Sequence, residues 1–416
     1  MDTLFTSREA AARLGVKLET LYAYVARGLL RSERSAGGAH ARRYSARELE
    51  GFLARRRGRR DPQAAAAGAL FWGMPVVESA VSCTDGERLL YRGRDAVGLA
   101  ASARFEQVAT LLWEETLPDA AEDWPAVAAR EVEAAASAAK RASSSSPLTT
   151  AQLLVAALAP TDDDRFVTGP SGVTATARRM IPRLVAALAM ASRGTIEGAA
   201  SGPMGARVLA ALGGRITEER ARAADRALIL SAEHELNAST FAARVAASTG
   251  ADPYSVLGAA LATLSGPKHG GATERVEALV RESGSPGRAV RDLGRRLARG
   301  EVVPGFGHPL YPHGDPRVAP LLAAARASQA PTRRAADARR TLFALVDAMA
   351  ARDRPPPTLD VALVATAGSL GLAPGGAALL FACGRAAGWI AHALEQYEMD
   401  ELIRPRARYV GPRGRE

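Results

Sequence analysis

Hydrophobic positions along most of this chain recur every three or four residues, and the stretches between them are rich in glycine and proline. Such spacing puts the apolar side chains on one face of a helix. Alanine and leucine dominate these segments and favour helix, whereas alternating runs of β-branched residues, typical of strands, are few. After residue 150 the pattern continues as successive helices broken by Gly or Pro. It therefore predicts an all-α fold.

The first 60 residues have a pattern of their own, which predicts a separate small domain. Thr6 or Ser7 can cap a first helix, and a second helix follows from about Leu18 to Arg27. A loop containing glycine and arginine comes next, before a third helix over residues 46–57.

The segments FTSREAAARLGV, TLYAYVARGLL and ARRYSARELE, in this order, resemble the winged helix-turn-helix of the MerR and excisionase group. The resemblance implies a second helix that enters the major groove of DNA and wing arginines that contact phosphates. An alternative is that the module is reused for protein contacts. The candidate DNA-binding residues are Thr20, Tyr22, Arg27, Arg42 and Arg43.

Positive charge is concentrated in this segment. Residues 1–60 hold 14 Arg and Lys against 6 Asp and Glu, a net charge of +8, and the rest of the chain carries only +2. This field favours a polyanionic partner. The basic run RRRGRR at residues 55–60 is either a solvated linker or an extra phosphate clamp, and we interpret residues 61–69 as the linker to the larger unit.

Cysteine usage and the amino terminus bear on location. Cys83 and Cys383 cannot form a disulfide framework and lack metal-ligand spacing, so we expect buried thiols in a reducing compartment and no metal site. The amino terminus is charged and has no apolar signal core. The longest uncharged stretch, Val361–Gly384, contains Pro374 and five glycines, which predicts two buried helices and a turn. We expect a cytoplasmic protein.

Three of the six histidines stand in short polar motifs: His234 in EHELNAST, His269 in SGPKHGGATE and His308 in GFGHPLYPHGDPR. The predicted helix after His269 would present free N–H groups, a field that favours a neutral imidazole donating to an oxyanion. Pro309 biases His308 away from helical geometry. His234 lies in a patch for which a purely structural network is the alternative.

One carboxylate and two arginines complete the candidate chemistry. Asp360 follows three prolines and is either a catalytic group or a helix N-cap. Arg317 is close enough to His308 for both to face one anionic ligand. Arg385 interrupts a largely apolar helix, and a buried arginine needs an anion from the protein or from a ligand. We expect His392, on the same helix, to be structural.

Five segments, in order, resemble the citrate synthase family: EHELNASTFAARVAAST, SGPKHGGATE, GFGHPLYPHGDPR, CGRAAGWIAHALEQ and LIRPRARYVG. The resemblance implies a mostly helical homodimer with its active site in the cleft between two domains. It implies a large domain of residues 70–269 and 363–416 and a small domain of residues 270–362. The implied reaction condenses acetyl-CoA with oxaloacetate and water to citrate and CoA, with acetyl-CoA as co-substrate and no cofactor.

The resemblance also implies residue roles. Asp360 would take a methyl proton from acetyl-CoA, His269 would stabilise the enolate oxygen, and His308 would polarise the ketone of oxaloacetate. Arg404, the first arginine of RPR, would be lent to the site by the neighbouring subunit. The residues implied to bind the carboxylates of oxaloacetate are His234, Arg317 and Arg385.

Three departures from the family pattern concern substrate and coenzyme contacts more than reaction class: Glu233 stands where Asp is common, Thr273 where Asn is common, and Pro309-Leu310 where Arg-Val is frequent. Two alternative functions stay open. One is 2-methylcitrate synthase acting on propionyl-CoA, because one methylene changes a pocket's preference by only about 1–3 kcal/mol. The other is a DNA-binding regulator that senses metabolites through the synthase body.

Overall fold

The structure, a computed structural model, describes residues 4–26, 30, 32–34, 42–45, 49, 52, 77–142, 146–407 and 409–411. The chain divides into two units, Met1–Glu78 and Ser79–Glu416. Helices make up most of the larger unit, and the strands within the described residues form two short three-stranded sheets. The predicted all-α fold is confirmed, with these sheets as a minor addition.

The smaller unit begins with a strand and two short helices. Thr6 caps the first helix, and the Glu9 carboxylate accepts a hydrogen bond from the Thr6 backbone N–H at 2.8 Å, which completes a capping box. Gly15 ends that helix in the left-handed region, at φ 62°. The elements of this unit are the helices Ser7–Leu14 and Leu18–Ala26 and the strands Leu4–Thr6, Glu33–Arg34 and Arg42–Ser45.

Strand Arg42–Ser45 lies between the other two strands and pairs antiparallel with both. Its Tyr44 side chain joins apolar side chains of both helices in one small core, which also includes Leu49 and Phe52. Four predicted features lie wholly or mostly outside the described residues: the wing loop, the third helix, the basic run and the linker to the larger unit.

The larger unit is built from helices whose ends carry local signals. Asp252, for example, caps the helix that begins at Pro253 and accepts hydrogen bonds from two backbone N–H groups at 3.0 and 3.3 Å. The α-helices are Ala96–Ser102, Phe105–Glu114, Ala129–Arg141, Pro147–Leu158, Pro170–Arg193, Met204–Ala211, Glu218–Ser231, Ala238–Ala247, Pro253–Leu264, Gly271–Ser283, Pro286–Ala298, Val318–Ala327, Arg333–Ala350, Leu359–Leu370 and Gly376–Met399, with 3₁₀ turns at Ala159–Thr161 and Asp163–Phe166.

Two hydrophobic clusters form most of the core of this unit. The larger cluster includes the helix Gly376–Met399, which is buried along most of its length. The smaller cluster joins the helices Gly271–Ser283, Pro286–Ala298 and Arg333–Ala350 and includes Val361. The boundaries of the large and small domains stay a prediction.

The predicted pair of buried helices in the long uncharged stretch is confirmed. Leu359–Leu370 and Gly376–Met399 are joined by a turn in which Gly371 and Gly375 have φ 76° and 79°. Among the described residues, Gly376–Met399 is the one helix long and apolar enough to cross a membrane. Because 94% of its most apolar window is buried inside the fold, it has the character of a core helix.

A short sheet beside the site was not predicted. Its strands are Ser82–Thr84, Leu89–Tyr91 and Arg94–Asp95, and the first two pair antiparallel. Cys83 lies on the first strand and is exposed, contrary to the expectation of a buried thiol. The reason is the alternation of side chains along a strand, since both neighbours of Cys83 are partly buried. Cys383 is buried as predicted.

Candidate active site

Two of the three candidate histidines meet around a tyrosine. The Nε2 atom of His234 lies 2.9 Å from the Tyr311 hydroxyl. The ring centroids of His234 and His308 are 5.5 Å apart, and Tyr311 lies 5.4 and 5.3 Å from them. Folding therefore brings the turn after one helix and a distant loop into one aromatic cluster.

Both imidazoles are neutral at pH 7. Burial lowers the pKa of His234 well below its ordinary value, and the charges of Arg317 and Arg385 lower it further. Burial and Arg317 also lower the pKa of His308. The Leu310 N–H donates to His308 Nδ1 at 3.2 Å, so the ring proton lies on Nε2. His308 can therefore donate a hydrogen bond from Nε2 to a carbonyl oxygen.

The patch EHELNAST is a turn whose polar groups have separate partners. Glu235 has φ 51°, and its N–H donates to Ser82 Oγ at 3.0 Å. The Asn237 side chain caps the helix Ala238–Ala247 by accepting two backbone N–H groups at 3.1 Å. This network holds the turn while His234 faces Tyr311, so the patch is at once structural and part of the site.

The loop that carries His308 is joined to the segment before Asp360. The Thr358 N–H donates to the Gly305 carbonyl at 2.8 Å. Gly305 has φ 83°, and a Cβ atom there would collide with Val361. Only glycine lets the two segments approach this closely, and their contact fixes His308 and Asp360 on neighbouring backbone.

His269 lies in the turn before the helix Gly271–Ser283, and its Nε2 is 2.8 Å from Ser239 Oγ. Burial, followed by the charge of Arg385, lowers the pKa of His269 to about 4, so the ring is neutral at pH 7. A neutral His269 was expected from the field of the helix amino terminus. In the structure the ring is neutral mainly because it is buried.

Asp360 lies in the first turn of the helix Leu359–Leu370, whose N-cap position is occupied by Thr358. The capping role considered for Asp360 therefore does not apply. Its carboxylate accepts from the hydroxyl of Thr358 at 2.9 Å and from that of Thr273 at 3.4 Å. Burial raises the pKa of Asp360, and these hydroxyls oppose the rise. A carboxylate with a raised pKa is a stronger base.

Arg317 is buried against a partner that the sequence argument missed. Its Nε and Nη2 donate to the two oxygens of Asp315 at 2.9 and 2.6 Å. Burial acts to lower the pKa of Arg317, but the Asp315 charge raises it above its ordinary value. The Nη1 atom has no hydrogen-bond partner among the described residues. Arg317 thus has one free donor group and a charge that is already compensated.

Arg385 is only 1% exposed and forms no ion pair within the described part of the chain. Its Nε donates to the Ser231 carbonyl at 2.6 Å, while Nη1 and Nη2 have no partner there. Burial lowers the pKa of Arg385 to about 10. Its guanidinium lies 4.7 Å from the centroid of the Phe381 ring, a cation–π contact. Glu233 offsets part of this charge, but no carboxylate of the described chain is hydrogen-bonded to the guanidinium, so its terminal nitrogens can receive the carboxylate of a ligand.

The structure does not bring Arg404 to the other candidates within this chain. It lies after the last helix, is exposed, and has no hydrogen bond or ion pair with the described residues. Its action in a neighbouring subunit stays a prediction.

Several residues that hold the site were missed or undervalued in the sequence. Tyr311 and Asp315 stand in the same motif as His308, and Ser239 stands in the motif of His234. Their signal was a hydroxyl or carboxylate within motifs already selected for a histidine or an arginine. Glu233 was noted only as a departure from the family pattern and His392 was expected to be structural, and the two form a buried pair at 3.1 Å.

Two of the described DNA-binding candidates are exposed and two are partly buried. Tyr22 is 46% exposed on the second helix, and Thr20 on the same helix is partly buried. Arg42 is exposed and Arg43 is partly buried on the central strand. Arg27 lies outside the described residues. Their function stays a prediction.

The larger unit therefore combines three neutral imidazoles, a carboxylate with a raised pKa and two buried guanidiniums. Such groups can bind a carboxylate, polarise a carbonyl and stabilise an enolate. Within the residues that the structure describes, no group of three or more His, Cys, Asp or Glu side chains is arranged to hold a metal ion.

Comparison with known proteins agrees with this chemistry. The family profile "Citrate synthase, C-terminal domain" matches residues 70–406, and the profile "Helix-turn-helix domain" matches residues 4–57. Citrate synthase 2 of Bacillus subtilis is 32% identical, covering 82% of this chain and 95% of that protein. 2-Methylcitrate synthase 2 of Corynebacterium glutamicum is also 32% identical, covering 79% and 90%. Citrate synthase of Thermoplasma acidophilum, solved with carboxymethyl coenzyme A and oxaloacetate, superposes with a TM-score of 0.67 at 26% identity, covering 82% and 95%.

Proposed function

The chain belongs to the citrate synthase family, and we propose that it condenses acetyl-CoA with oxaloacetate and water to form citrate and CoA. The observation that carries the proposal is the buried guanidinium of Arg385, whose terminal nitrogens have no partner in the described chain. A planar donor fork of this kind binds a carboxylate through two parallel hydrogen bonds.

In the proposed complex, one carboxylate of oxaloacetate lies on Arg385. The other accepts from Arg317 Nη1, and neutral His234 contributes a further hydrogen bond. The Arg317 guanidinium lies 5.9 Å from the centroid of the Tyr311 ring, whose hydroxyl is 2.9 Å from His234 Nε2, and the charges of Arg317 and Arg385 both act on His234. His308 donates from Nε2 to the ketone oxygen and makes the ketone carbon more electrophilic.

The second substrate is activated on the other side of the site. Asp360 takes a proton from the methyl carbon of acetyl-CoA, and His269 donates from Nδ1 to the thioester oxygen as it becomes an enolate. A proton on Nδ1 requires that Nε2 accept one, and the Ser239 hydroxyl lies 2.8 Å from it. The same hydroxyl also lies 2.8 Å from Asn237 Oδ1, and the reaction requires the bond to His269.

Bond formation then follows from these two activated carbons. The enolate carbon attacks the ketone carbon, so a C–C bond forms, the thioester carbonyl is restored and the π bond of the ketone breaks. The ketone oxygen takes the Nε2 proton of His308 and becomes a hydroxyl, and His308 regains a proton from solvent. Water hydrolyses the resulting thioester and releases CoA. Proton transfer by a positioned side chain typically contributes about 10²–10⁴-fold to the rate.

The choice of acetyl-CoA over propionyl-CoA is tested by CoA release. Free thiol is measured with each thioester at fixed oxaloacetate, and we expect a higher kcat/KM with acetyl-CoA. A higher value with propionyl-CoA would make 2-methylcitrate synthesis the function. Asp360→Asn controls for simple thioester hydrolysis. Absence of oxaloacetate-dependent CoA release with both thioesters would refute the proposal.

We also propose that the active unit is a homodimer in which Arg404 completes the neighbouring site. Its exposure and its lack of a partner among the described residues support this role. Inactive Arg404→Ala and Arg385→Ala subunits are mixed after reversible dissociation. Half of randomly paired dimers then hold one intact site, so we expect about a quarter of wild-type activity. If activity does not recover although light scattering shows mixed dimers, the shared site is wrong.

A second candidate function is DNA binding by the amino-terminal unit. It is supported by the helix-turn-helix match over residues 4–57 and by the net charge of +8 over residues 1–60. Fluorescence anisotropy with duplex DNA across a salt series tests it, with and without oxaloacetate. We expect affinity to fall as salt rises and to weaken in an Arg42→Ala/Arg43→Ala double variant. If neither higher salt nor the double variant weakens the affinity, Arg42 and Arg43 do not form a DNA-binding surface.

A further inference from the structure

Glu233 precedes a site histidine, but its side chain turns into the protein core. It is fully buried, and its Oε1 accepts from His392 Nε2 at 3.1 Å and from Ser82 Oγ at 3.3 Å. Its Oε2 is buried without a hydrogen-bond partner among the described residues. Burial acts to raise the pKa of Glu233, but His392 and Arg385 beside it hold that pKa below its ordinary value, so the carboxylate stays ionised within the core.

The contacts of His392 determine its tautomer. Its Nδ1 lies 3.3 Å from Arg244 Nη1, which can only donate, so Nδ1 is the acceptor. The Glu395 carboxylate is 3.9 Å from Nδ1, too far for a hydrogen bond. Nε2 therefore donates to Glu233. The His392 ring thus lies between Glu233 and the ion pair of Arg244 and Glu395, whose atoms are 2.7 Å apart.

One helix connects this pair to the site. Along Gly376–Met399, Arg385 contacts the Ser231 carbonyl and His392 contacts Glu233. Between them, a Cβ atom on Gly388 would collide with Glu233 Oε2. Successive turns of the helix therefore contact the segment just before His234 at Ser231 and Glu233.

We propose that His392 is a positioning residue for oxaloacetate: its bond to Glu233 clamps the turn that carries His234 and the Ser231 carbonyl that orients Arg385. The inference rests on the proposed function for the identity of the ligand. Loss of the clamp should loosen both ligand-binding side chains together. Proton transfer by Asp360 and His269, which lie on other segments, should be less affected.

Two amide substitutions separate the two ring nitrogens of His392. His392→Gln places an amide near the position of Nε2 and keeps a donor for Glu233. His392→Asn reaches only the position of Nδ1, so it keeps an acceptor for Arg244 and loses the clamp. The matched control is Gln396→Leu on the same helix, since Gln396 is buried and accepts from Arg244 Nε at 3.0 Å without touching Glu233.

The readouts are KM for oxaloacetate, kcat at saturating oxaloacetate, KM for the acyl-CoA and the melting temperature. We expect His392→Asn to raise KM for oxaloacetate about 10- to 100-fold, the effect of a lost charge-assisted hydrogen bond, with the other two kinetic constants within about 3-fold. His392→Gln should stay within about 3-fold of wild type throughout. Gln396→Leu should lower the melting temperature without changing KM for oxaloacetate.

Equal effects of the Asn and Gln substitutions would overturn the proposal, and so would an equal KM shift in Gln396→Leu. Calorimetric titration with oxaloacetate separates this inference from the proposed reaction, because it needs no turnover. If the wild type releases no CoA but His392→Asn weakens oxaloacetate binding, the positioning role of His392 is supported and the proposed reaction is wrong. If the wild type is active and His392→Asn binds oxaloacetate normally, only the clamp is wrong.

Discussion

Replacing Arg385 with methionine tests whether its guanidinium serves the ligand or the fold. The side chain is 1% exposed, and one nitrogen donates to a backbone carbonyl while the other two have no partner in the described chain. Methionine has a similar length, no charge and a flexible apolar chain that fills such a space. In the ligand-free protein the exchange removes a buried charge that forms no ion pair among the described residues and is offset only in part by the nearby Glu233, so stability should be unchanged or higher.

Whereas stability should not fall, the affinity for oxaloacetate should decrease. Two charge-assisted hydrogen bonds are lost, each worth about 1.5–3 kcal/mol. Their sum, about 3–6 kcal/mol, corresponds to a dissociation constant raised roughly 10²–10⁴-fold. A structural arginine cannot combine weaker binding with equal or greater stability.

The assay pairs calorimetric titration with thermal melting, each with and without oxaloacetate. Arg207→Met is the matched control, since Arg207 is also 1% exposed but its three nitrogens donate to the carbonyls of Gly202, Pro125 and Trp124 at 2.6, 2.8 and 2.7 Å. It should melt lower and bind oxaloacetate normally. An Arg385→Met protein that melts well below wild type and keeps its affinity would refute the reasoning.

Three further predictions concern the activation of acetyl-CoA. Asp360→Asn should lower kcat about 10²–10⁴-fold while calorimetry still detects oxaloacetate binding; near-normal turnover would mean that another group is the base. Thr358→Val removes a hydroxyl that lowers the pKa of Asp360. In the pH profile of kcat, activity is lost at low pH as the base becomes protonated, and this loss should move to higher pH in the variant. If it does not move, the group that titrates there is not Asp360. Ser239→Ala should lower kcat about 10- to 100-fold, and ¹⁵N shifts of His269 should show a change in tautomer; unchanged shifts would exclude the Ser239 contact as its cause.

The helices could be predicted from the sequence because their signals are local. The cap at Thr6 and the helix after His269, found at Gly271–Ser283, both depend on residues a few positions apart. The sheet that begins at Ser82 was missed because its strands have only two or three residues, too few to show an alternating pattern.

The residue types of the site could also be predicted, but their electrostatic environment could not. His269 is neutral as expected, yet the cause is burial and the charge of Arg385, both products of tertiary packing. His392 and Glu233 meet only because two distant segments pack together. Spacing along the chain identifies which groups can do chemistry, while their pKa values depend on neighbours that it does not specify.

The contrast between the two buried arginines leads to a conclusion about assembly. Oxaloacetate carries two carboxylates, but the Arg317 charge is already balanced by Asp315 at 2.6 Å. Among the arginines of the described site, Arg385 alone lacks a carboxylate partner. One chain therefore offers to one carboxylate a guanidinium that has no ion pair among the described residues, and to the other the Nη1 group of Arg317. A further cation from outside the chain would balance the second carboxylate, which is the electrostatic reason for the proposal that Arg404 of a neighbouring subunit enters the site.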